Sequence, residues 1–487
     1  MKNNPNQFII RHLCAFLIAN ICCIFSISLH ADIHPSGQVR NIDNTIQWDW
    51  IYNTPVYSNW VIVGHDNSGS LGLDNYANTN GVNYFESSYL AMGYENGASG
   101  TMSISGYGAE VYFAYLYIGY GENSLGSFLM QNGTSIIFPS YTNKYIYVGN
   151  GTNSHGTMTL RDSDTLLRLS DHLYVGLNDG SHGQVLITEG AVFESAEQHV
   201  GYYAGSYGKI TVDGPGSKMK TWINNKITVI GRNGTGELLV QNGGYVETGS
   251  SAVLGYSNGS QGTAEITGSG SSWTCSGNIY IGRGTASTGD PGIGILKAAR
   301  GGQVQTVLMY VGYSSYNSQG TLDFTIGNTG TGVVNCGLIE ADTIRLDTST
   351  AFLQMHVDPG VNLTTGTQYT LVDYQTLGTT YDYKQFAGID EGDIYTSPEG
   401  YNFRINYATD LGGGDLAITA TVVDIPPCVV DVTDLYLICN HWLETGCSSS
   451  DWCSGADLDL NNDVNLGDFV YIAQNWLTNC PVSWPWQ

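Results

Sequence analysis

A short phrase, apolar–x–apolar–Gly, then a polar turn, a second glycine and another alternating segment, recurs about ten times in this chain. Its first glycines are Gly64, Gly93, Gly119, Gly149, Gly176, Gly201, Gly231, Gly255, Gly282 and Gly312, at intervals of 24 to 30 residues. The second glycine usually follows seven residues later, as at Gly100, Gly126, Gly156, Gly183, Gly208 and Gly262. A unit this short cannot bury its apolar face alone. Stacking on its neighbours buries a continuous core, which is the logic of a solenoid.

Within each repeat the period is two, not 3.6. The residue before the first glycine is always apolar: Val63, Met92, Ile118, Val148, Val175, Val200, Ile230, Leu254, Ile281 and Val311. Past the second glycine the second and fourth residues are apolar, as in Met102/Ile104, Phe128/Met130, Met158/Leu160, Val185/Ile187, Ile210/Val212 and Leu238/Val240. Alternation over short runs bounded by glycine marks half-buried strands. A third short strand is expected in each unit, as at residues 244–249 and 302–306. Three strands per coil predict a mainly β chain built as a right-handed parallel β-helix, with glycines at positive-φ corners. A propeller or a sandwich array is the competing arrangement. At ~4.8 Å per coil, ten coils give a rod of roughly 50 Å.

Tyrosines recur in phase with the glycines. Tyr117, Tyr147, Tyr174, Tyr280 and Tyr310 stand two residues before the first glycine, where the side chain should point outward. Tyr94, Tyr120, Tyr202, Tyr256 and Tyr313 stand just after it. Stacked coils would arrange them in ladders that stabilise the stack by cross-strand packing, or that offer a flat aromatic surface to sugar rings or to another protein.

The phrase Tyr-Val-Gly, a polar turn, then Ser-x-Gly-Thr-apolar-x-apolar, at residues 147–160 and 310–324, resembles the short repeat of autotransporter passengers and of PEP-CTERM-associated surface proteins. The resemblance covers about residues 58–330. It implies an exported β-helical surface protein and no particular activity. The expected organisation is a signal segment at 1–31, an N-terminal cap at 32–57, the repeat array at 58–339 and a C-terminal β cap at 340–424. A cap is needed because an open coil exposes unpaired strand edges. Its alternating strands, residues 368–374, 401–407 and 415–421, resemble those that close a passenger β-helix. Ile425-Pro-Pro427 reads as a short stiff linker, and a separate unit fills 425–487.

That unit contains Asp457-Leu-Asp-Leu-Asn-Asn-Asp-Val-Asn-Leu-Gly-Asp468, followed by an amphipathic segment to Leu477. Oxygen side chains fall at loop positions 1, 3, 5, 9 and 12: Asp457, Asp459, Asn461, Asn465 and Asp468. Asp463 at position 7 would offer its backbone carbonyl. A hard cation with six or more oxygen ligands needs this density, so the loop is read as an EF-hand-type calcium site. Position 6, which wants a sharp turn, holds Asn462, the non-glycine residue that best tolerates positive φ. The Asp at position 12, in place of the usual bidentate Glu, and the Val-Asn-x-x-Asp-Phe ending look like a dockerin. A duplicate 34 residues earlier, residues 430–443, strengthens the likeness, although it keeps only Asp431 and Asp434 and should not hold a second ion. The resemblance spans roughly 426–482 and implies a small helical module that docks onto a cohesin. Phe469, Ile472, Ala473 and Trp476 share one helical face and are expected to be core. Val470, Tyr471 and Gln474 lie off that stripe and are expected to meet the partner.

Arg11 and His12 precede an apolar run from Leu13 to Leu29, with Ala31 as a small residue for cleavage, which fits a secretory signal. No later segment is apolar for long enough to span a membrane. The chain carries 43 acidic and 17 basic residues, a net charge of −26. That field repels nucleic acid and anionic membranes. Five of its ten cysteines, Cys428, Cys439, Cys447, Cys453 and Cys480, fall in the last 60 residues. A small domain with little core gains from disulfides in an oxidising compartment. Cys447 and Cys453 are close enough to pair, and Cys428 and Cys480 flank the two-helix unit.

Little looks catalytic. There is no nucleophile elbow, no H-E-x-x-H and no phosphate loop. His155, His172, His182 and His199 fall at different phases of the repeat, so they are not expected to converge and read as turn or surface residues. Asp162, Asp164, Glu194 and Glu197 could supply a glycosidase pair across coils, but read first as solvated acids. The sequence thus points to a secreted, non-catalytic surface or scaffold protein. Its β-helix presents a binding or adhesive face, to polysaccharide or to another protein, and its calcium-loaded module docks it at the cell surface; a purely structural layer protein is a further reading. The rival is a dockerin-tethered polysaccharide lyase or glycoside hydrolase.

Overall fold

The computed structural model describes residues 32–37, 39–41, 56–74, 83–106, 109–138, 144–221, 223, 226–285, 289–314, 318–329, 333–377, 384–412, 415–423, 432–447, 453, 456–459 and 461–476. The signal segment, the Ile425–Pro427 linker, Cys428, Asp431 and Cys480 lie outside them. The repeats form a β-solenoid of about ten turns. In a first sheet, one strand per turn stacks in parallel, from Ser68–Asp74 through Leu125–Gln131, His155–Leu160, His182–Thr188 and Tyr207–Asp213 to Ser318–Asn328 and Ala351–Val357. The rest of each turn makes a second sheet. In mid-rod it runs as two short strands per turn: Leu166–Arg168 and His172–Val175 pair in parallel with Val192–Ser195 and Glu197–Val200. Toward each end the two fuse into single longer strands, such as Asn83–Met92 and Ser272–Ile281.

The alternating pattern sets the core. All ten residues preceding the first glycines, Val63 to Val311, are 0 % exposed, and the paired apolar positions beyond the second glycines are buried with them. The two glycine sets have different causes. Every first glycine sits at positive φ, for example Gly149 at 70° and Gly176 at 69°, where only glycine turns the chain without strain. The second glycines do not; they lie inside strands, stacked in register as Gly126, Gly156, Gly183, Gly208, Gly236 and Gly262. A Cβ on Gly183 would stand 2.2 Å from the Val148 carbonyl oxygen and 2.4 Å from the Gly176 nitrogen. The corner expectation therefore holds for the first set only. The second set lets two backbones touch.

Both ends are closed by antiparallel strands. Asp32–Gly37 pairs with Ser68–Asp74, and Val39–Asn41 with Val56–Val63. At the far end the parallel ladder runs past the expected boundary at 339. Leu338–Leu346 stacks on Gln303–Val311, and Gln368–Leu377 on Leu338–Leu346. Only then do Asn402–Gly412 and Asp415–Val422 reverse direction and cover the edge.

The C-terminal unit has two short helices, Val432–Asn440 and Leu466–Asn475. They share a small core of Ile438, Val464, Leu458, Ala456, Cys447 and Ile472, in which Ile438 and Ile472 hold equivalent places in the duplicate. Cys447 and Cys453 form a disulfide; Cys439 is a free, exposed thiol. Among the described residues no helix is long and apolar enough to cross a membrane.

Candidate functional site

The strands that precede the first glycines place rings on one face of the solenoid. Tyr117, Tyr147 and Tyr174 occupy one register position on successive turns. Their rings lie 4.9 and 5.1 Å apart and within 8° of parallel. The same column then carries His199, Val229 and Val253 before Tyr280 and Tyr310 resume it, 5.0 Å apart. A second column, which the sequence reading missed, runs beside it through Trp60, Tyr89, Tyr115 and Tyr145, at separations of 4.3, 5.0 and 5.5 Å. Its signal was an aromatic four residues before the first glycine. Two rings held in one plane would collide at such distances, so each ring turns its face to its neighbour. The faces are thus covered by other rings, and the outer surface receives edges and phenol hydroxyls, not the flat aromatic surface that was the alternative to packing ladders.

From the gap onward, arginines stack on the rings beside the column. Arg232 lies 4.5 Å from the Tyr202 ring centroid, Arg283 lies 4.9 Å from that of Tyr256, and Arg345 lies 5.0 Å from that of Tyr310. Guanidinium planes stack on aromatic faces and keep their donors at the rim. Arg345 also donates to the Tyr310 hydroxyl at 2.9 Å. The chain has only 17 basic residues, and three of its arginines stack on rings here.

The histidines do converge, contrary to the sequence reading. His172 pairs in register with Glu197 on the next turn. Glu197 and His199, two apart on one strand, project from the same side. His172 Nε2 and His199 Nε2 stand 3.0 and 3.1 Å from the same oxygen, Glu197 Oε2, while Lys226 Nζ sits 3.1 Å from Oε1. Burial alone would raise the Glu197 carboxyl, but hydrogen bonds from His172, His199 and Lys226 hold it well below its ordinary range. Burial lowers His199, against the opposing pull of Glu197. A shallow recess beside the cluster is lined by Tyr174, Ile227, Val229, Arg232 and Tyr256. His155 and His182, by contrast, are exposed and simply stack at 4.9 Å. The acids considered for a glycosidase pair are otherwise engaged. Glu194 pairs with Arg168, and Asp162, at a turn with φ 74°, accepts from the Asn132 amide.

In the C-terminal loop the carboxylates of Asp457, Asp459 and Asp468 converge, with their nearest oxygens within 4.8 Å of one another. Asp457 and Asp468 are fully buried. Asp457 accepts from the amides of Asn461 and Asn462 at 3.0 and 2.8 Å, and Asp468 from those of Leu458 and Asp459 at 2.6 and 3.1 Å. Asn462 has φ 75°, the turn its position requires. Asp459 is pushed up by burial and by the charges of Asp468 and Asp457. Among the described residues no cationic side chain pairs with these three acids. This donor set fits a hard cation. Asn461 joins the cluster by donating to Asp459 at 2.9 Å. Asn465 instead caps the second helix by accepting from Gly467 N, and its amide donates to the Asp463 carbonyl at 3.0 Å.

On that helix the expected faces are partly exchanged. Ile472 is buried, but Phe469 and Trp476 are each 40 % exposed and Ala473 is exposed. With only a short first helix to pack against, the core stripe is a single residue wide. Tyr471, expected at the contact surface, is half-buried against that core. Val470 and Gln474 are exposed as expected.

No protein-family model, no curated protein and no solved structure matches this chain.

Proposed function

We propose that this is an exported, non-catalytic surface or scaffold protein whose solenoid binds polysaccharide along its ring-lined face and whose C-terminal module, loaded with calcium, docks it to a cohesin-like partner. The observation that carries the reading is the two aromatic columns together with the Tyr–Arg stacks of Tyr202, Arg232, Tyr256 and Arg283 that lie farther along the rod. Phenol hydroxyls and guanidinium donors at regular spacing along a rigid rod suit an extended glycan, above all one bearing carboxylates or sulfates. Calcium would order the acidic loop and hold the helix that follows it. The Cys447–Cys453 disulfide accords with an oxidising compartment, and the apolar segment from Leu13 to Leu29 with export.

A second reading, a polysaccharide-degrading enzyme tethered by the same module, draws support from the converging His172, Glu197 and His199. A glycan array combined with a reducing-sugar assay on the full chain separates the two. Retention of acidic glycans without product supports the binding protein. Released sugar or unsaturated product supports the enzyme. No retention of any glycan removes the polysaccharide from the proposal. Docking is tested separately, by calcium-dependent capture on immobilised cohesins, which Val470→Asp should abolish.

A further inference from the structure

We propose that His172, Glu197 and His199 form a binding site for a divalent ion of the zinc class, fastening two adjacent turns where both aromatic columns stop. The two imidazole Nε2 atoms stand 3.0 and 3.1 Å from one carboxylate oxygen. Ligands at 2.0–2.1 Å around a tetrahedral ion are about 3.3 Å apart. Both nitrogen–oxygen separations are therefore within a few tenths of an ångström of that spacing, and all three donors lie within 4.8 Å of one another. Two nitrogens and one oxygen are the mixed donor set that a borderline ion prefers over calcium.

The surroundings favour a cation at this point. His172 lies between two carboxylates, with Asp171 Oδ1 2.7 Å from its Nδ1 and Glu197 Oε2 3.0 Å from its Nε2. With an ion at Nε2, the other ring nitrogen would face Asp171 Oδ1 at 2.7 Å, the side from which a carboxylate orients a histidine ligand. The His199 side chain is 5 % exposed, so an ion bound there would be largely screened from water. Lys226 occupies the other Glu197 oxygen, so Oε2 stays available, at the cost of a nearby positive charge. The recess lined by Val229, Arg232 and Tyr256 leaves one coordination position open, where a carboxylate or hydroxyl of a bound molecule would sit beside Arg232. The site goes beyond the proposed glycan face and does not depend on it.

The test is titration of the full, untagged chain with zinc by calorimetry and with cobalt(II) by visible absorption, both in excess calcium to saturate the C-terminal loop. One equivalent should bind, with the intense ligand-field bands of a four- or five-coordinate ion. His199→Ala and the near-isosteric Glu197→Gln should each weaken binding by roughly 100-fold or more, and Glu197→Gln covers the case in which His199→Ala fails to fold. Lys226→Met, which removes the competing charge at a part-exposed position, should tighten it several-fold. Cobalt spectra of octahedral aquo type, equal binding by Glu197→Gln and the parent chain, or weaker binding by Lys226→Met would each overturn the site.

Discussion

Tyr174 and His199 occupy one register position on neighbouring turns, their rings 5.2 Å apart and within 17° of parallel. The contact is a junction. Above it, Tyr117, Tyr147 and Tyr174 form an unbroken stack. Below it, Val229 and Val253 take the same position and leave the recess. The face is therefore two aromatic stretches with a polar, titratable step between them, and Tyr174 belongs to the packing of the rod as well as to its surface.

Neighbouring substitutions at 174 and 175 should differ sharply. Val175 is fully buried between turns, and Val175→Asp would place an unpaired charge there, costing several kcal/mol. Tyr174→Ser loses stacking on Tyr147 and His199 and should cost about 1–2 kcal/mol. Chemical denaturation of the two variants checks the order, and a larger loss at 174 would reverse the assignment of inward and outward positions.

The second glycines yield a sharper contrast. Gly183 has an ordinary backbone, yet an added methyl would meet the Val148 carbonyl and the Gly176 amide. Gly183→Ala should cost several kcal/mol, since a backbone on either side cannot move without parting two turns. Gly259 has φ +77° and open space around its Cβ. Gly259→Ala should cost only about 1–2 kcal/mol, the ordinary left-handed strain. Equal denaturation midpoints for the two variants would refute close backbone approach as the reason for the second set.

These two cases mark how far the sequence could be read. Period-two apolar spacing and glycine intervals specify strand, turn and core, because burial on one face imposes them locally. What they do not specify is which residues of different turns meet, since that depends on register across gaps of 24 to 30 residues. His172 and Glu197 look unrelated at that distance, yet lie side by side. The Trp60–Tyr89–Tyr115–Tyr145 column, by contrast, was legible by phase, each ring standing four residues before a first glycine. The acidic loop was legible because all its donors fall within twelve residues. The core face of the following helix was not, because its burial depends on what lies opposite.

Base titration should reveal the ring columns. Tyr117 is pushed up to about 12 by burial first, then by Tyr120, Tyr115 and Tyr89, and Tyr174 to about 12 by burial, with Tyr202 next. Both lie above the ordinary value near 10. The folded chain therefore holds these protons more tightly than the unfolded chain. The stability they confer is fully present below pH about 10 and is lost as pH rises toward about 12. Tyrosinate absorbance should thus appear in two stages, exposed rings first and the columns late, with the second stage accompanied by unfolding. A single transition near the ordinary value would show that the rings are freely solvated.

Within the acidic loop, two aspartates should respond in opposite ways. Asp468 accepts from the amides of Leu458, Asp459 and Asn465 at 2.6, 3.1 and 2.8 Å, so it closes the loop and completes the helix cap. Asp468→Ala removes all three bonds, and should unfold the second helix and abolish any calcium response. Asp459 is exposed, yet partial desolvation of its carboxyl in the loop, then the charges of Asp468 and Asp457, push it up. Asp459→Asn relieves that repulsion. It should stabilise the calcium-free module slightly while lowering calcium affinity by an order of magnitude or more, since a neutral amide replaces an anionic ligand. Hydrogen exchange of residues 457–476 in the full chain, in calcium and in chelator, reads both effects. Protection that is the same in calcium and chelator for the parent chain, or calcium affinity unchanged in Asp459→Asn, would mean that the three carboxylates converge only to cap the helix.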